Sequence, residues 1–348
     1  MIAEGGSPGV RVSAMSSIIS PIIAYKDSSV EMAKPTSTAP DSIIRRLLHS
    51  SRVVIGGGVV GFIVITCLAT LPLTLRDHYA NGQKNQFYYD RQTPDLARQH
   101  PVWRPVYRWF GTDIQGRSLL ARCLMGGTIS LAIGVAAASI SVVLGVSVGL
   151  LAGYRGGWVD SLLMRSVDVL YGLPYILLII LLKIALEPLL GKMGLSSSAA
   201  NLIVLFLAIG LVSWLTMARV VRGQVLSLRV QPFIESCRAT GLTEWRIFTR
   251  HLLPNLIGPI TVYATLTVPQ AILQESFLSF LGIGIQPPVP TWGSLASDAL
   301  LPALNSVHPY WYMLVTPCVL LSVTLLSLNF LGDGLRDVFD PKRDAAKV

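Results

Sequence analysis

Long apolar runs without charge recur along the chain, separated by polar segments. A bilayer core of about 30 Å needs about 20 apolar residues of helix, and five uncharged runs are long enough. They are Val53–Leu75, Leu124–Tyr154, Ala199–Ala218, Leu252–Gln274 and Pro309–Gly332. A sixth run, Leu162–Leu186, has an uncharged centre over 169–182. Its charged residues, nearer its ends, are Arg165, Asp168 and Lys183. The pattern predicts six transmembrane helices.

The composition supports a membrane location. Of the 348 residues, 52% are hydrophobic and only 14% are charged, whereas soluble domains carry about 25% charged residues. The mean hydropathy is +0.57. The net charge of +9 is typical of a membrane protein with basic cytoplasmic loops, and does not by itself indicate nucleic-acid binding. The chain is therefore predicted to be an integral membrane protein.

The residues before the first apolar run are rich in Ser, Pro and Gly, and residues 1–52 are predicted to be a disordered cytoplasmic tail. Six spans place both termini on one side, and Arg45, Arg46 and Arg52 indicate the cytoplasm. The stretch 282–308 has no Lys or Arg, which fits an outer loop. Against this, the outer segment 76–122 carries eight Lys or Arg residues, so charge alone leaves the orientation open.

The sequence gives little sign of enzyme chemistry. It lacks a G-x-x-x-x-G-K-[ST] phosphate loop, and it has no H-E-x-x-H or G-x-S-x-G motif. Gly56, Gly58 and Gly61 fit G-x-G-x-x-G, but they lie inside the first predicted span, without the preceding strand that a dinucleotide site needs. The four cysteines are scattered without C-x-x-C spacing. We expect no catalytic residues, no metal site and no cofactor bound directly by this chain.

Three glycines are spaced by four residues in the second predicted span. Gly145, Gly149 and Gly153 would form a small-residue ridge that allows another helix to approach closely. The alternative is that they reflect the general use of small residues in membrane helices.

The 32-residue loop Arg219–Arg250, between the fourth and fifth predicted spans, has the features of two short helices. Pro232 suits a first helical turn, and Glu235 lies near the positive end of the helix dipole. Gly241 suits the left-handed conformation that ends a helix. Thr243 is then placed to cap the second helix.

The second short helix, predicted over Glu244–Arg250, would carry Trp245 and Phe248 on one face. Pro254 and Asn255 would open the next span. Such an amphipathic pair of helices could lie on the lipid surface, or it could dock into a groove of a partner protein. The residues alone leave both interpretations open.

The stretch from Glu235 to Gly241, followed by Leu253 and Pro254, resembles the EAA loop of ABC importer permeases, although Ser236 and Cys237 replace the two alanines. The resemblance implies a coupling loop, taken as 222–253, that contacts an ATPase subunit. Its expected coupling residues are Glu235, Ser236, Cys237, Arg238, Ala239, Gly241, Trp245, Arg246, Phe248, Leu253 and Pro254.

Other segments resemble the second permease subunit of dipeptide and oligopeptide importers. Gly111–Arg117 is similar to that subfamily's G-T-D-x-x-G-R signature, with Ser118 replacing an acidic residue that often follows it. The remaining similar stretches are 153–160, 275–288 and 332–341, so the resemblance covers about residues 111–341.

This resemblance implies an all-α integral membrane protein with six transmembrane helices, the type I ABC importer permease (MetI-like) fold. The first helix, 53–75, would be peripheral, and 76–123 would form a periplasmic loop and pre-helix segment. The permease core would be 124–333, with five spans, and 334–348 would be a cytoplasmic tail.

The implied function is that of a permease in the bacterial inner membrane that forms half of a pore for peptides. Its partners would be a second permease in a heterodimer, two cytoplasmic ATPase subunits that use the ATP, and an extracytoplasmic substrate-binding protein. Permeases for nickel, glutathione or murein peptides share these motifs and remain alternatives, as does a membrane scaffold without transport.

Two further sites are predicted from charged residues in or near the spans. Glu275 lies toward the outer end of the fifth span, where it is either a gate or pore contact or a helix-end hydrogen-bonding group. Arg165 and Asp168 are three residues apart, a spacing that permits a structural ion pair, although contact with the ATPase is the alternative.

Overall fold

The computed structural model describes residues 43–78, 82, 84–192, 194 and 197–339. Most of the predicted N-terminal tail, 1–42, and the end of the C-terminal tail, 340–348, lie outside the described residues. Over the described residues the fold is all-α, with two isolated β-bridges in the segment before the second long helix.

Eleven α-helices are present in the described residues. They are α1 (Ile43–His49), α2 (Ser51–Leu75), α3 (Leu119–Arg155), α4 (Gly157–Tyr171), α5 (Tyr175–Gly191), α6 (Ser197–Leu228), α7 (Pro232–Ala239), α8 (Glu244–Ile247), α9 (Leu253–Phe280), α10 (Trp292–Ala303) and α11 (Trp311–Phe339). Short 3₁₀ turns cover Pro94–Leu96 and Val106–Arg108, and a π turn over Phe248–Leu252 joins α8 to α9.

Five helices in the described chain are long and apolar enough to cross a membrane: α2, α3, α6, the continuous helix Glu244–Phe280, and α11. The run Leu162–Leu186, predicted as one helix, is instead divided between α4 and α5, which meet at 97°. Pro174 explains the break, because it has no N–H to donate to Leu170 and restricts the backbone of Leu173. The bent pair supplies the sixth span if it is counted as one.

Several predicted boundaries were wrong at the membrane surfaces. Residues 43–52, predicted to be disordered, form α1 and the start of α2. The segment predicted as a tail from 334 begins as helix, since α11 continues to Phe339. Within this extension Asp337 accepts a hydrogen bond from Arg52 of α2 at 3.0 Å, which joins α11 to α2.

The fourth predicted span also ends later than its apolar run. It was predicted to end at Ala218, but α6 continues to Leu228 and includes Arg222, the first residue of the predicted coupling loop. Arg219 and Arg222 find carboxylate partners on α4, so charge does not end the helix. At its other end the coupling loop was drawn to 253, but Leu253 is the first residue of α9.

The glycines of α3 form the ridge that their spacing predicted. A Cβ at Gly145 would lie 2.5 Å from Cβ of Met217, and one at Gly149 would lie 2.5 Å from the Ala218 carbonyl oxygen. At Gly153 the nearest atom would be Cβ of Val225, at 2.9 Å. The three positions therefore need glycine, because any side chain would push α3 and α6 apart.

The helix α2 lies against α11 and contacts α3. A Cβ at Gly56 would be 2.7 Å from the Ser327 carbonyl oxygen of α11, so this glycine serves helix packing and not nucleotide binding. Most of the hydrophobic face of α2 is exposed in the structure, including Phe62 and Ile65, which fits a helix that faces lipid at the edge of the bundle.

A side chain added to the glycine ridge should weaken the packing of α3 on α6. Gly149→Leu should reduce thermal stability in detergent by about 1–3 kcal/mol or more, because overpacking forces the backbones apart. Thermal unfolding of the purified protein measures this. Gly58→Leu on α2 is the matched control, because a Cβ there meets nothing within 4 Å. Equal stability of the two variants would contradict the ridge.

Candidate functional site

The first half of the loop before α9 has the turn that its sequence predicted. Gly241 has φ +74°, in the left-handed region. The Leu242 N–H donates to the Cys237 carbonyl at 3.2 Å, and the Gly241 N–H donates to the Arg238 carbonyl at 2.9 Å. These two bonds form a Schellman motif, which satisfies carbonyls at the end of α7. Glycine is favoured at 241 because other residues are strained at this φ.

The second half of the loop differs from the prediction. The expected separate helix over Glu244–Arg250 is a single turn, α8, that continues through the π turn into α9. Thr243 occupies the N-cap position, but its side chain makes no capping hydrogen bond. The π turn has a local cause: Pro254 has no N–H to donate to Arg250, and its ring crowds that carbonyl.

Buried apolar side chains hold the loop against the transmembrane helices. Ile234 of α7, Ile247 of α8 and Leu252 of the π turn are fully buried and form one cluster. Leu242 and Cys237 pack against it from the loop. The partners from the membrane helices are Tyr154 at the end of α3 and Leu228 at the end of α6. The loop is thus packed onto the same two helices that the glycine ridge joins.

Tyr154 adds polar and aromatic contacts to this anchor. Its hydroxyl donates to the Glu244 carboxylate, and its ring meets the Phe248 ring edge-on, with centroids 6.4 Å apart. The Arg238 guanidinium lies 5.8 Å from the centroid of the Tyr154 ring. Tyr154 was not predicted as a site residue, although it lies in the stretch 153–160, which resembles a known permease subfamily in sequence.

The opposite face of the loop is exposed. Trp245 is 73% exposed and stacks on Phe248, with centroids 5.5 Å apart and rings 12° from parallel, so the two aromatics share a face as predicted. The Glu235 carboxylate is exposed and has no hydrogen bond or ion pair within the described part of the chain. The other exposed coupling residues are Ser236, Arg238, Ala239, Gly241, Arg246 and Pro254, and the half-buried ones are Cys237, Phe248 and Leu253.

The ion pair predicted between Arg165 and Asp168 was wrong. Asp168 instead accepts a hydrogen bond from Arg219 of α6 at 2.7 Å, and Arg165 is exposed. Nearby, Arg222 donates to both oxygens of Asp160, at 2.5 and 2.7 Å. The packing of α6 against α4 brings these arginines to the carboxylates, and neighbour spacing within α4 cannot reveal that.

The stretch Gly111–Arg117, before α3, folds around one buried carboxylate. Asp113 accepts hydrogen bonds from Arg117 Nε and Arg122 Nη1, each at 2.7 Å. Ser118 caps α3 by accepting from the Ala121 N–H at 3.2 Å. Serine is a good N-cap residue, so the residue that departs from the expected signature has a structural role of its own.

The outer carboxylate cluster extends to α10. Arg122 Nη2 lies 3.8 Å from Asp298 Oδ2. Burial raises the pKa of the Asp298 carboxyl, and the positive charge of Arg122 acts in the opposite direction. The contacts of Asp113, Arg122 and Asp298 join the segment before α3 to α3 and α10. Over the described residues, His, Cys, Asp and Glu form no group of three that could hold a metal ion.

Glu275 is fully buried in the protein, not at a solvated interface as its position in the span suggested. Its carboxylate accepts from Ser279 at 2.7 Å and from Ser130 of α3 at 3.4 Å. Lys183 of α5 donates to the Ile283 and Gly284 carbonyls of the turn that follows α9. The two serine contacts of Glu275 are those expected of a helix-end group. A role for Glu275 in gating stays a prediction.

Curated proteins of known function are similar to this chain over most of its length. The dipeptide transport system permease protein DppC of Bacillus subtilis is 45% identical over 67% of this chain and 68% of its own. The oligopeptide transport system permease protein OppC of Salmonella typhimurium is 40% identical over 86% and 89%. The glutathione transport system permease protein GsiD of Pectobacterium atrosepticum is 38% identical over 74% and 78%.

A solved inward-facing structure of the MetNI methionine ABC transporter is 22% identical and covers 63% of this chain and 96% of its own, with a TM-score of 0.49. The family described as "Binding-protein-dependent transport system inner membrane component" matches residues 145–345, more than half of the chain. That match includes the whole of the candidate coupling loop. The chain belongs to the family of inner-membrane components of binding-protein-dependent transport systems.

Proposed function

We propose that this chain is a permease subunit of an ATP-binding-cassette importer and forms half of a translocation pore for peptides. The observation that carries the proposal is the 45% identity of the chain to a dipeptide permease. The loop before α9 supports it, because one face of this loop is exposed and open to a partner protein. The relatives named for dipeptide, oligopeptide and glutathione transport all act on short peptides, which supports that substrate class.

The proposed partners follow from the family. A second permease subunit completes the pore as a heterodimer, two cytoplasmic ATPase subunits hydrolyse ATP, and an extracytoplasmic binding protein delivers the peptide. This chain contributes no catalytic group and binds no cofactor directly. Its task is to convert the movement of an ATPase subunit into a movement of its own helices, by alternating access.

The architecture of the loop suits that task. Its inner face is fixed to α3 and α6 by the cluster of Ile234, Ile247 and Leu252. Its outer face offers a stacked aromatic pair and a free carboxylate, groups that bind well in a protein groove.

We also propose that both termini are cytoplasmic in the bacterial inner membrane. The long helices α2, α3, α6, α9 and α11, with the bent pair as one span, give an even number of crossings. Reporter fusions at Lys347 test this orientation. We expect a cytoplasmic reporter to be active there and a periplasmic one to be inactive, and the reverse result would overturn the topology.

The coupling role predicts specific losses. Glu235→Ala should change the stability of the isolated permease by no more than about 1 kcal/mol, because the exposed carboxylate interacts with the dipole of its own helix and with no other side chain of the described residues. In the complete complex it should lower peptide-stimulated ATP hydrolysis and uptake by about tenfold or more, since a hydrogen bond to a charged group contributes about 1.5–3 kcal/mol. Both rates are measured in proteoliposomes with all subunits and the binding protein.

Gly241→Val tests the turn in the same assay. A β-branched residue in the left-handed region costs about 1–2 kcal/mol, which should distort the loop and lower uptake. Gly157→Val is the matched control, because Gly157 also has positive φ, +55°, and a Cβ there meets nothing within 4 Å. If Glu235→Ala and Gly241→Val both transported at wild-type rates, the loop would be a surface helix pair without a coupling role.

A further inference from the structure

A cavity of about 360 Å³ lies where the break between α4 and α5 faces α6 and α9. Hydroxyl and amide side chains contribute much of its lining. Those that matter here are Ser213 and Thr216 of α6, and Tyr263, Thr267, Gln270 and Gln274 of α9. The six share one property: they are uncharged groups that form hydrogen bonds.

The four residues of α9 follow one line along the helix, which we call the polar stripe. The spacing from Tyr263 to Thr267, Gln270 and Gln274 is four, three and four residues, which places them on one face. Leu273, next to Gln274 in sequence but off the stripe, is 56% exposed. The helix therefore has a polar face on the cavity and an apolar face elsewhere.

The polar stripe lies deep in the predicted membrane. Gln270 is ten residues before Phe280, the outer end of α9, which is about 15 Å along the helix and half the thickness of the bilayer core. Polar side chains at that depth face protein or a water-filled cavity, since lipid cannot satisfy them. Gln270 is nevertheless exposed in the single chain, so its face needs an aqueous or polar surrounding.

Gln274 points to the same conclusion independently. Its Oε1 atom is buried and has no hydrogen-bond partner among the described residues. A buried acceptor without a donor is unfavourable, and Gln274 lines the cavity, so a group that enters the cavity is well placed to supply the donor. Water, a passing solute and the second permease subunit are the possible sources.

We propose that the polar stripe, with Ser213 and Thr216, forms this subunit's share of the translocation path and hydrogen-bonds the backbone amides of a peptide. The inference rests on the proposed function and deepens it. Each glutamine amide offers both donors and an acceptor, and a peptide backbone presents both at every residue. Contacts of this kind do not depend on which side chains the peptide carries.

The same lining argues against a metal ion as cargo. A divalent nickel ion stripped of water would be held by imidazole, thiolate or carboxylate groups. None of the residues that line this cavity in the described chain is His, Cys, Asp or Glu. Among the substrates that the family resemblance left open, the cavity therefore fits peptides and glutathione better than nickel.

The test uses the complete complex with saturating peptide-loaded binding protein. Gln270→Leu and Gln274→Leu should each lower the ratio of peptide imported to ATP hydrolysed by about threefold to tenfold. The factor should be the same for neutral, acidic and basic tripeptides of equal length. Thr265→Val is the control on the same helix, because Thr265 lies off the stripe and lines a different groove, beside α2. It should transport like the wild type.

The outcomes separate this proposal from the proposed function. Wild-type ratios in both glutamine variants would overturn the polar stripe as the path. A fall confined to acidic or basic tripeptides would also overturn it, because that would indicate contacts with side chains. If the wild-type complex imported none of the tripeptides, the proposed function itself would fail.

A second measurement does not depend on transport. Single cysteines at 270, 274 and 273 are introduced into a chain whose native cysteines are replaced, and a membrane-impermeant thiol reagent is applied to the complex in its resting and vanadate-trapped states. We expect the cysteines at 270 and 274 to react in at least one state and the one at 273 to stay unmodified. Equal reactivity at 270 and 273 would overturn the proposal.

Discussion

The close approach of α3 and α6 is the contact on which the rest of the structure depends. It is possible because Gly145, Gly149 and Gly153 present no side chain to Met217, Ala218 and Val225. Helix association in lipid has little hydrophobic driving force, so packing at short range contributes much of the stability. The contact brings together the C-terminal ends of both helices, at Tyr154 and Leu228.

The coupling loop is built on those two ends. Its buried cluster packs on Tyr154 and Leu228, and α8 runs through the π turn into α9. A displacement of the loop therefore acts on three membrane helices together. One of them, α9, carries the polar stripe. The surface proposed to meet the ATPase and the surface proposed to meet the peptide are therefore connected by one continuous helix, Glu244–Phe280.

Features that depend on residues close together in the sequence were predictable. Charge-free runs located the five long spans, and Gly241 was expected in the left-handed conformation, because glycine is much less strained there than other residues. Motif resemblance singled out the loop before α9, whose coupling role stays a prediction, and the stretch around Asp113. The role of Ser118 as a helix cap also follows from local chemistry, although its replacement of an acid did not suggest it.

Contacts between distant elements were not predictable in the same way. Asp168 has a neighbouring arginine in its own helix, yet it pairs with Arg219, because the packing of α6 decides which charge is nearer. Pro174 itself signals a break in a helix, but the apolar residues on both sides of it favoured a single continuous span. Neither the anchoring role of Tyr154 nor the contact of Lys183 with the outer turn could be found, since both depend on how helices far apart in sequence meet.

We infer from these contacts that the loop and the end of α3 move as one body when the proposed ATPase partners close. Spin labels at Thr240 on the loop and Ser147 on the exposed face of α3 measure this in the complete complex. The account predicts the same distance between the two labels in the nucleotide-free and vanadate-trapped states, while the distance from each label to the second permease changes. A change in the Thr240 to Ser147 distance of about 5 Å, one helical turn, would contradict it.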